Sequence, residues 1–501
     1  MSKKWKIFSI VTYCVLLAVL LAVLLIVFIP EKETHEVEFV RPEDIYIPEK
    51  LDDERLFGLF FYNEDGSMTR STEPIETVNY DPSKPLVIFI HGMLYPFGYH
   101  SNELIPNAVG WLKKGYNVAE FCWSQLSDFM PNVGTRKVWG RGAGNFMYEA
   151  DDGQRTEESE DLLNYSIAEC FVAYYLDFME KNGFSGSEIR LTGLSLGGST
   201  VVASMSYLFA LLEDGWIDKE FLPDRMSLFD AYLEFTGGIE AYNVPWLNEP
   251  MNEGGPLYYA VEVTKKAHDM GIATEYIASS MVSNLPDIVS PGSTKKLHDN
   301  TMFLQFNNAF AGMDQGLQHT SGKTWYFNTV SADPFMDKTD LTGTQYAFGP
   351  LTPTPYVYAR QGARYSMERN NTENVFTDDV LYSDVTVPKI AGFAFNDANA
   401  NGINDDRLMN RLASVKAELY CGEEKIGEVV TDESGYYEFI LDGSAVGKTY
   451  TLKVTPCEGW TYADRSDDEY YGNALDGNGT AQVTVSGSID LKIVNSGLIK
   501  G

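Results

Sequence analysis

From about residue 37 to residue 330 the chain alternates short apolar runs with longer stretches whose apolar residues recur at three and four positions. That alternation restricts the fold to an α/β class: a doubly wound, mostly parallel sheet with helices on both faces. Strands buried on two sides read as continuous apolar runs, and parallel neighbours need a crossover between them. The runs LVIFIHG (86–92), NVAEFCW (117–123), EIRLTGLS (188–195), MSLFDAYL (226–233) and ATEYIASS (273–280) are the expected central strands. The clearest helices are expected over 161–183 and 199–214, the second directly after Ser195.

At 501 residues the chain is long enough for a second core. Between 331 and 385 the pattern dissolves into Pro, Gly, Thr and Tyr and reads as an irregular excursion. From Pro388 onward KAELYC, EKIGEVVT, GYYEFIL and TYTLKV are separated by turn residues, the spacing of a β-sandwich. The expected division is 1–36 membrane anchor or signal, 37–385 α/β domain and 386–501 β-sandwich.

Lys3, Lys4 and Lys6 precede an uncharged run from Ile7 to Ile29. Its length in a helix is about 34 Å at ~1.5 Å per residue, enough to cross a bilayer. No small-x-small cleavage site closes it, and the basic bias lies on its N-terminal side. The expectation is a single-pass transmembrane helix in the cell membrane with the bulk of the chain outside, and secretion after cleavage is the alternative. The 38 basic against 71 acidic residues give a net charge of -33, which repels phosphate backbones and excludes nucleic acid as a partner. Cys14 lies in the apolar run. Cys122, Cys170, Cys421 and Cys457 make no disulfide scaffold, and a Cys421–Cys457 bridge and two free thiols fit equally well.

Gly193, Leu194, Ser195, Leu196 and Gly197 form G-x-S-x-G at the junction of an expected strand and helix. A serine on such a turn needs glycines beside it, because side chains there collide with the neighbouring strand and helix. Ser195 is the candidate nucleophile, and the backbone N–H of Leu196, at the helix N-terminus, is one candidate oxyanion donor. The Met93 N–H, after Ile90, His91 and Gly92, is the other. His91 itself reads as a structural hydrogen-bonder that shapes this loop.

HGM ending one strand and GLSLGG ending a later one resemble the lipase and esterase branch of the α/β-hydrolase superfamily, over about residues 55–330. The resemblance implies a triad in the order Ser, acid, His, with the acid ending the next strand. Asp230 stands there, followed by Ala231 where similar segments carry proline; Asp287 is the rival acid. Of the later histidines, His268 falls in a helical stretch and His298 in a polar loop after Lys295 and Lys296. His319, expected after the last strand and just before an aromatic-rich helix, is the favoured base. The resemblance therefore implies a serine hydrolase acting on carboxylic esters, lipids among them, without a cofactor for catalysis. Peptidase and acyltransferase chemistry share the triad. A surface adhesion or scaffolding protein with an inactive hydrolase fold is the competing class. Tyr95, Phe97 and Tyr99 read either as an acyl-pocket lining or as core.

In the C-terminal region Asp397, Asn399, Asn401, Gly402, Ile403 and Asp405 place oxygen ligands at alternating positions around a glycine turn. Leu408 stands where an EF-hand needs a bidentate glutamate. With IAGFAFND before it and VVTDESGYYEF and DLKIVNSG after it, the segment is similar to the Sdr-like calcium-binding B repeats of bacterial surface adhesins. The resemblance implies a Ca²⁺-stiffened stalk, spacer or surface-binding module, with a cell-surface partner and with Asp476 and Asn478 as further ligands.

Overall fold

The structure is a computed structural model. It describes residues 57–501 apart from 94–106, 125, 128–130, 142–146, 150–154, 158–164, 235–243, 245, 247–254, 309–310, 332–334, 337, 339–346 and 370–378. The apolar run Ile7–Ile29 and the aromatic residues Tyr95, Phe97 and Tyr99 lie outside the described residues.

The strands of the main sheet are β1 (Gly58–Tyr62), β2 (Met68–Arg70), β3 (Leu86–Ile90), β4 (Asn117–Cys122), β5 (Ile189–Leu194), β6 (Arg225–Phe229), β7 (Ala273–Ala278), β8 (Met302–Asn308), β9 (Arg364–Arg369) and β10 (Val380–Ser383). They lie in the order β10-β9-β8-β7-β6-β5-β3-β4-β1-β2. Every pairing from β9 across to β4 is parallel, and the antiparallel pairs are confined to the two edges. This is the doubly wound, mostly parallel sheet that the apolar alternation predicts.

The period of two along each strand distributes side chains to both faces. Leu86, Ile88 and Ile90 of β3 join one core with Ile189 and Leu191 of β5. Val87 and Phe89 join a second core with Leu194 and Phe229. The first face is covered by α2 (Pro131–Trp139), α3 (Ile167–Asn182), α4 (Leu196–Glu213) and α5 (Gly255–Asp269), the second by α1 (Asn107–Lys113), α8 (Gln315–Asn328) and α9 (Thr354–Ala359). Each Leu, Ile or Phe so buried contributes roughly 1.5–3 kcal/mol. The start of α3 is set by a capping box: the Ser166 hydroxyl accepts the Glu169 N–H at 3.1 Å and the Glu169 carboxylate accepts the Ser166 N–H at 2.8 Å. Among the described residues, α4 alone is long and apolar enough to cross a membrane, and 78% of it is buried in the core.

Three sequence expectations need correction. The segment 331–385 is not simply irregular, because α9, β9 and β10 lie in it and the two strands extend the main sheet. In β9 buried and less buried positions alternate, so RYSMER reads as polar although Tyr365, Met367 and Arg369 point inward. His298 lies not in a loop but in α7 (Pro291–Asp299), and β8 follows it, unrecognised in the sequence. His319 stands inside α8 rather than before it.

The C-terminal region is a β-sandwich. One sheet orders Tyr436–Ile440, Lys389–Asn396, Ser496–Lys500 and Trp460–Tyr462, with Leu491–Ile493 also paired to Lys389–Asn396; the other orders Glu424–Val430, Lys416–Cys421, Thr449–Thr455 and Thr480–Thr484. Ile390, Tyr437 and Leu498 from the first meet Leu419, Leu452 and Val483 from the second in one core. The sandwich does not hang free as a stalk would. Tyr356 and Ala359 of α9 pack with Ala391, Ile489, Leu491 and Ile493, and Arg407 reaches across to Asp224 at 2.6 Å and to the Glu220 carbonyl at 2.9 Å.

Candidate active site

The carboxyl ends of β3, β5, β6 and β7 form one edge of the sheet, and the candidate residues lie along it. Ser195 follows β5 with φ 57° and ψ -120°, a conformation that a non-glycine residue keeps only when its surroundings enforce it. Here they do: its N–H donates to the Phe229 carbonyl at 3.0 Å, and its carbonyl accepts the N–H groups of Gly198 at 3.0 Å and Tyr232 at 2.9 Å. A Cβ on Gly193 would stand 2.3 Å from the Gly197 carbonyl oxygen, and one on Gly197 would stand 2.0 Å from that of Ile90. The glycines of the pentapeptide are steric requirements of this turn. Gly92 and Gly198, which the sequence reading did not single out, belong to the same set. A Cβ on Gly92 would come within 2.8 Å of the Ser195 Cβ, and one on Gly198 within 2.6 Å of the Ala231 Cβ.

The position of Gly92 brings the loop after β3 against the serine. His91 is fully buried, and its Nε2 accepts the Trp123 N–H at 2.9 Å. The proton must therefore reside on Nδ1, which donates to the Gly92 carbonyl at 2.8 Å. Because the peptide is planar and trans, fixing the Gly92 carbonyl also fixes the Met93 N–H on the opposite side. His91 thus shapes the loop and has no ring nitrogen left for proton transfer. Leu196 is the first residue of α4, where backbone N–H groups have no intrahelical partner.

Asp230 follows β6, buried, with φ 42°. Its N–H donates to the Ile277 carbonyl at 2.7 Å, and its carboxylate accepts the N–H groups of Ser279 at 2.8 Å and Ser280 at 2.9 Å. The hydroxyls of Ser280 and Ser283 donate to the same carboxylate. His319 Nδ1 is hydrogen-bonded to Asp230 Oδ2, which leaves Nε2 as the basic nitrogen. Burial alone would raise the Asp230 carboxyl, but the hydrogen bond and charge of His319, with the two serine hydroxyls, hold it below its ordinary value. Ser195 is tied to the same place, since its backbone bonds to the residue before Asp230 and to the second residue after it.

The other candidates lie elsewhere. Asp287 is in α6 (Met281–Val289) with its side chain outside the described residues. The His268 ring stacks on Tyr358 at 4.8 Å, against α9. His298 is 4% exposed and stacked on Phe303 at 3.8 Å.

In the C-terminal loop the oxygen ligands are engaged by the loop itself. Asp397 accepts the N–H groups of Asn401 at 3.1 Å and Gly402 at 2.7 Å, Asn401 Oδ1 accepts that of Ile403 at 2.8 Å, and the Asn399 and Asn401 amides donate to Asp405 at 3.2 and 2.7 Å. Burial raises the neighbouring Asp406 carboxyl, and the charges of Asp405 and Asp397 raise it further, a repulsion that a hard cation would relieve. Among the described residues no three acidic, histidine or cysteine side chains converge as a metal site.

No protein-family model matches the chain, and no curated protein matches it. Among solved structures it is similar to the Bacillus anthracis TIE protein (18% identity, 22% of this chain and 17% of that one, TM-score 0.15). It is also similar to a Pyrococcus horikoshii acylaminoacyl peptidase (16% identity, 43% and 31%, TM-score 0.23) and to a predicted CIB-like hydrolase from Thermoplasma acidophilum (14% identity, 44% and 74%, TM-score 0.22). The matched part spans 17% and 31% of the first two of those proteins. At such distances the chemistry of the site has to be read from its own geometry.

Proposed function

We propose that the protein is a serine hydrolase of carboxylic esters. Ser195 Oγ attacks the acyl carbonyl while His319 Nε2 takes its proton, and Asp230 orients the imidazole through Nδ1 and stabilises its positive charge. The Leu196 and Met93 N–H groups receive the oxyanion. Collapse expels the alcohol, protonated by His319, and water activated by the same imidazole releases the acid. The observation that carries this reading is the buried Asp230 bonded to His319 Nδ1, one residue after the carbonyl that holds the strained Ser195.

The substrate we favour has an apolar acyl group, lipids included. Met281, Ile288 and Val289 of α6 and Met313 before α8 are exposed, and the Met281 N–H donates to Gln315 of α8 at 3.1 Å. Met281, Ile288 and Val289 share α6 with Ser283, and Met313 lies two residues before the helix that carries His319. Nitrophenyl esters of increasing chain length test the reading. Turnover should rise from acetate to medium chains and be abolished by Ser195→Ala; turnover that survives this substitution would refute it. We further propose that the Ile7–Ile29 run anchors the enzyme with the catalytic domain outside the cell, which protease accessibility on intact cells would test. For the C-terminal loop we propose Ca²⁺ bound through Asp397, Asn399, Asn401, the Ile403 carbonyl and Asp405. Calcium should raise the melting temperature of the whole chain, and it should fail to do so in Asp397→Asn.

A further inference from the structure

The carboxylate of Asp230 is held more completely than orientation of one imidazole requires. Oδ1 accepts from the Ser279 N–H at 2.8 Å, the Ser280 N–H at 2.9 Å and the Ser283 hydroxyl. Oδ2 accepts from the Ser280 hydroxyl and from His319 Nδ1. A carboxylate offers about four lone-pair directions, so these five donors saturate it. All but the imidazole come from one place: the end of β7 and the first turn of α6, whose N-terminus favours negative charge.

The two hydroxyls differ in what else they do. Ser280 caps α6, accepting the Val282 N–H at 3.1 Å, so its loss would disturb the helix as well as the carboxylate. Ser283 is one turn further in and caps nothing. Its hydroxyl has a local alternative, the Ser280 carbonyl at 3.2 Å, yet it also reaches the carboxylate, and its side chain is buried with Asp230.

We propose that Ser283 is a positioning residue of the hydrolase: its hydroxyl, acting with Ser280 and two backbone N–H groups, fixes the rotation of the Asp230 carboxylate and shares its charge, so that Oδ2 alone is presented to His319. The role rests on the triad reading given above. Without the Ser283 hydroxyl the carboxylate has one donor fewer on Oδ1, turns more freely and concentrates its charge on the oxygen facing His319. The protonated imidazole is then favoured, and its orientation toward Ser195 is less well defined.

The test is steady-state hydrolysis of a p-nitrophenyl ester by the full chain over a range of pH, comparing wild type with Ser283→Ala and Ser283→Cys. Ser283→Ala should lower kcat about tenfold with KM unchanged and move the acid limb of kcat/KM upward by about half a pH unit. Ser283→Cys keeps a side-chain donor at the same position, weaker and somewhat larger than the hydroxyl, and should fall between the two in kcat and in the acid limb, with its melting temperature measured alongside to confirm that it is folded. Superimposable pH profiles and equal kcat in either folded variant would overturn the role. Should alanine prevent folding, the cysteine variant decides alone, through the same limb. Ser195→Ala, assayed alongside, separates the two claims: its inactivity beside an unaffected Ser283 variant removes only the positioning role, whereas its full activity removes the triad itself.

Discussion

The two edges of the same parallel sheet are built on opposite principles. At the carboxyl edge the backbone is strained, with Ser195 and Asp230 both at positive φ, and one carboxylate is spent on one imidazole. At the amino edge charges are buried in pairs. Glu188 pairs with Arg190 at 2.7 Å and Arg225 with Glu275 at 2.7 Å, each side chain at most 4% exposed. Burial would raise the Glu188 carboxyl, but the Arg190 charge and hydrogen bond bring it down to about 2. The segment before and in α9 closes this network: the Thr352 carbonyl accepts from Arg225 at 2.6 Å and the Thr354 hydroxyl donates to Glu188. The sandwich then covers it, with Arg407 joined to Asp224, which in turn accepts the N–H of Ile189 at 2.7 Å at the start of β5. β5 and β6 thus run from a paired, buried network at one end to strained turns at the other.

This contrast predicts that activity and stability separate by edge. The largest effect belongs to His319→Ala, which should cut ester turnover by about 10³–10⁵-fold with a smaller change in unfolding free energy than Arg225→Met, since four other donors still hold the buried Asp230 carboxylate. A collapse in stability instead would erase the distinction. At the amino edge Arg225→Met leaves Glu275 buried without its partner and should cost about 3–5 kcal/mol in denaturant unfolding, while turnover per folded molecule stays near wild type. A smaller effect comes from His298, also near this end of the sheet. Burial pushes its imidazole from 6.5 down to about 4, with the Arg364 charge adding and Asp299 opposing. The unfolded chain therefore takes up the proton first, so the stabilisation is complete above about 6.5 and is lost as pH falls toward about 4. Wild type should lose on the order of 2–3 kcal/mol more than His298→Gln across that window, read from the difference in their pH slopes.

The carboxyl edge was legible in the sequence because its signals are local. Gly193 to Gly197 carry the turn within five residues, and Asp230 directly follows an apolar strand. The Ser280 and Ser283 cradle left a weaker trace, serines at the end of ATEYIASS and just after it, with no motif to separate them from an ordinary helix cap. The amino edge was not legible at all. Arg190 bonds to the Pro350 carbonyl and Arg407 to Asp224, partners 160 and 183 positions apart, and nothing in a linear pattern announces such pairs. β9 escapes a linear reading for another reason: its inward Tyr365 and Met367 alternate with the less buried Arg364, Ser366 and Glu368. Only its station in the chain points to His319 in the sequence, and its place inside a helix is hidden because Gly316 and Gly322 weaken the helical pattern around it.

The most direct test of Ser195 as the proposed nucleophile is covalent. A fluorophosphonate should add once per molecule, with the modified peptide containing Ser195, and neither Ser195→Ala nor His319→Ala should react at the wild-type rate. Labelling of Ser195→Ala equal to that of wild type, or modification mapped to any other serine, would contradict the account.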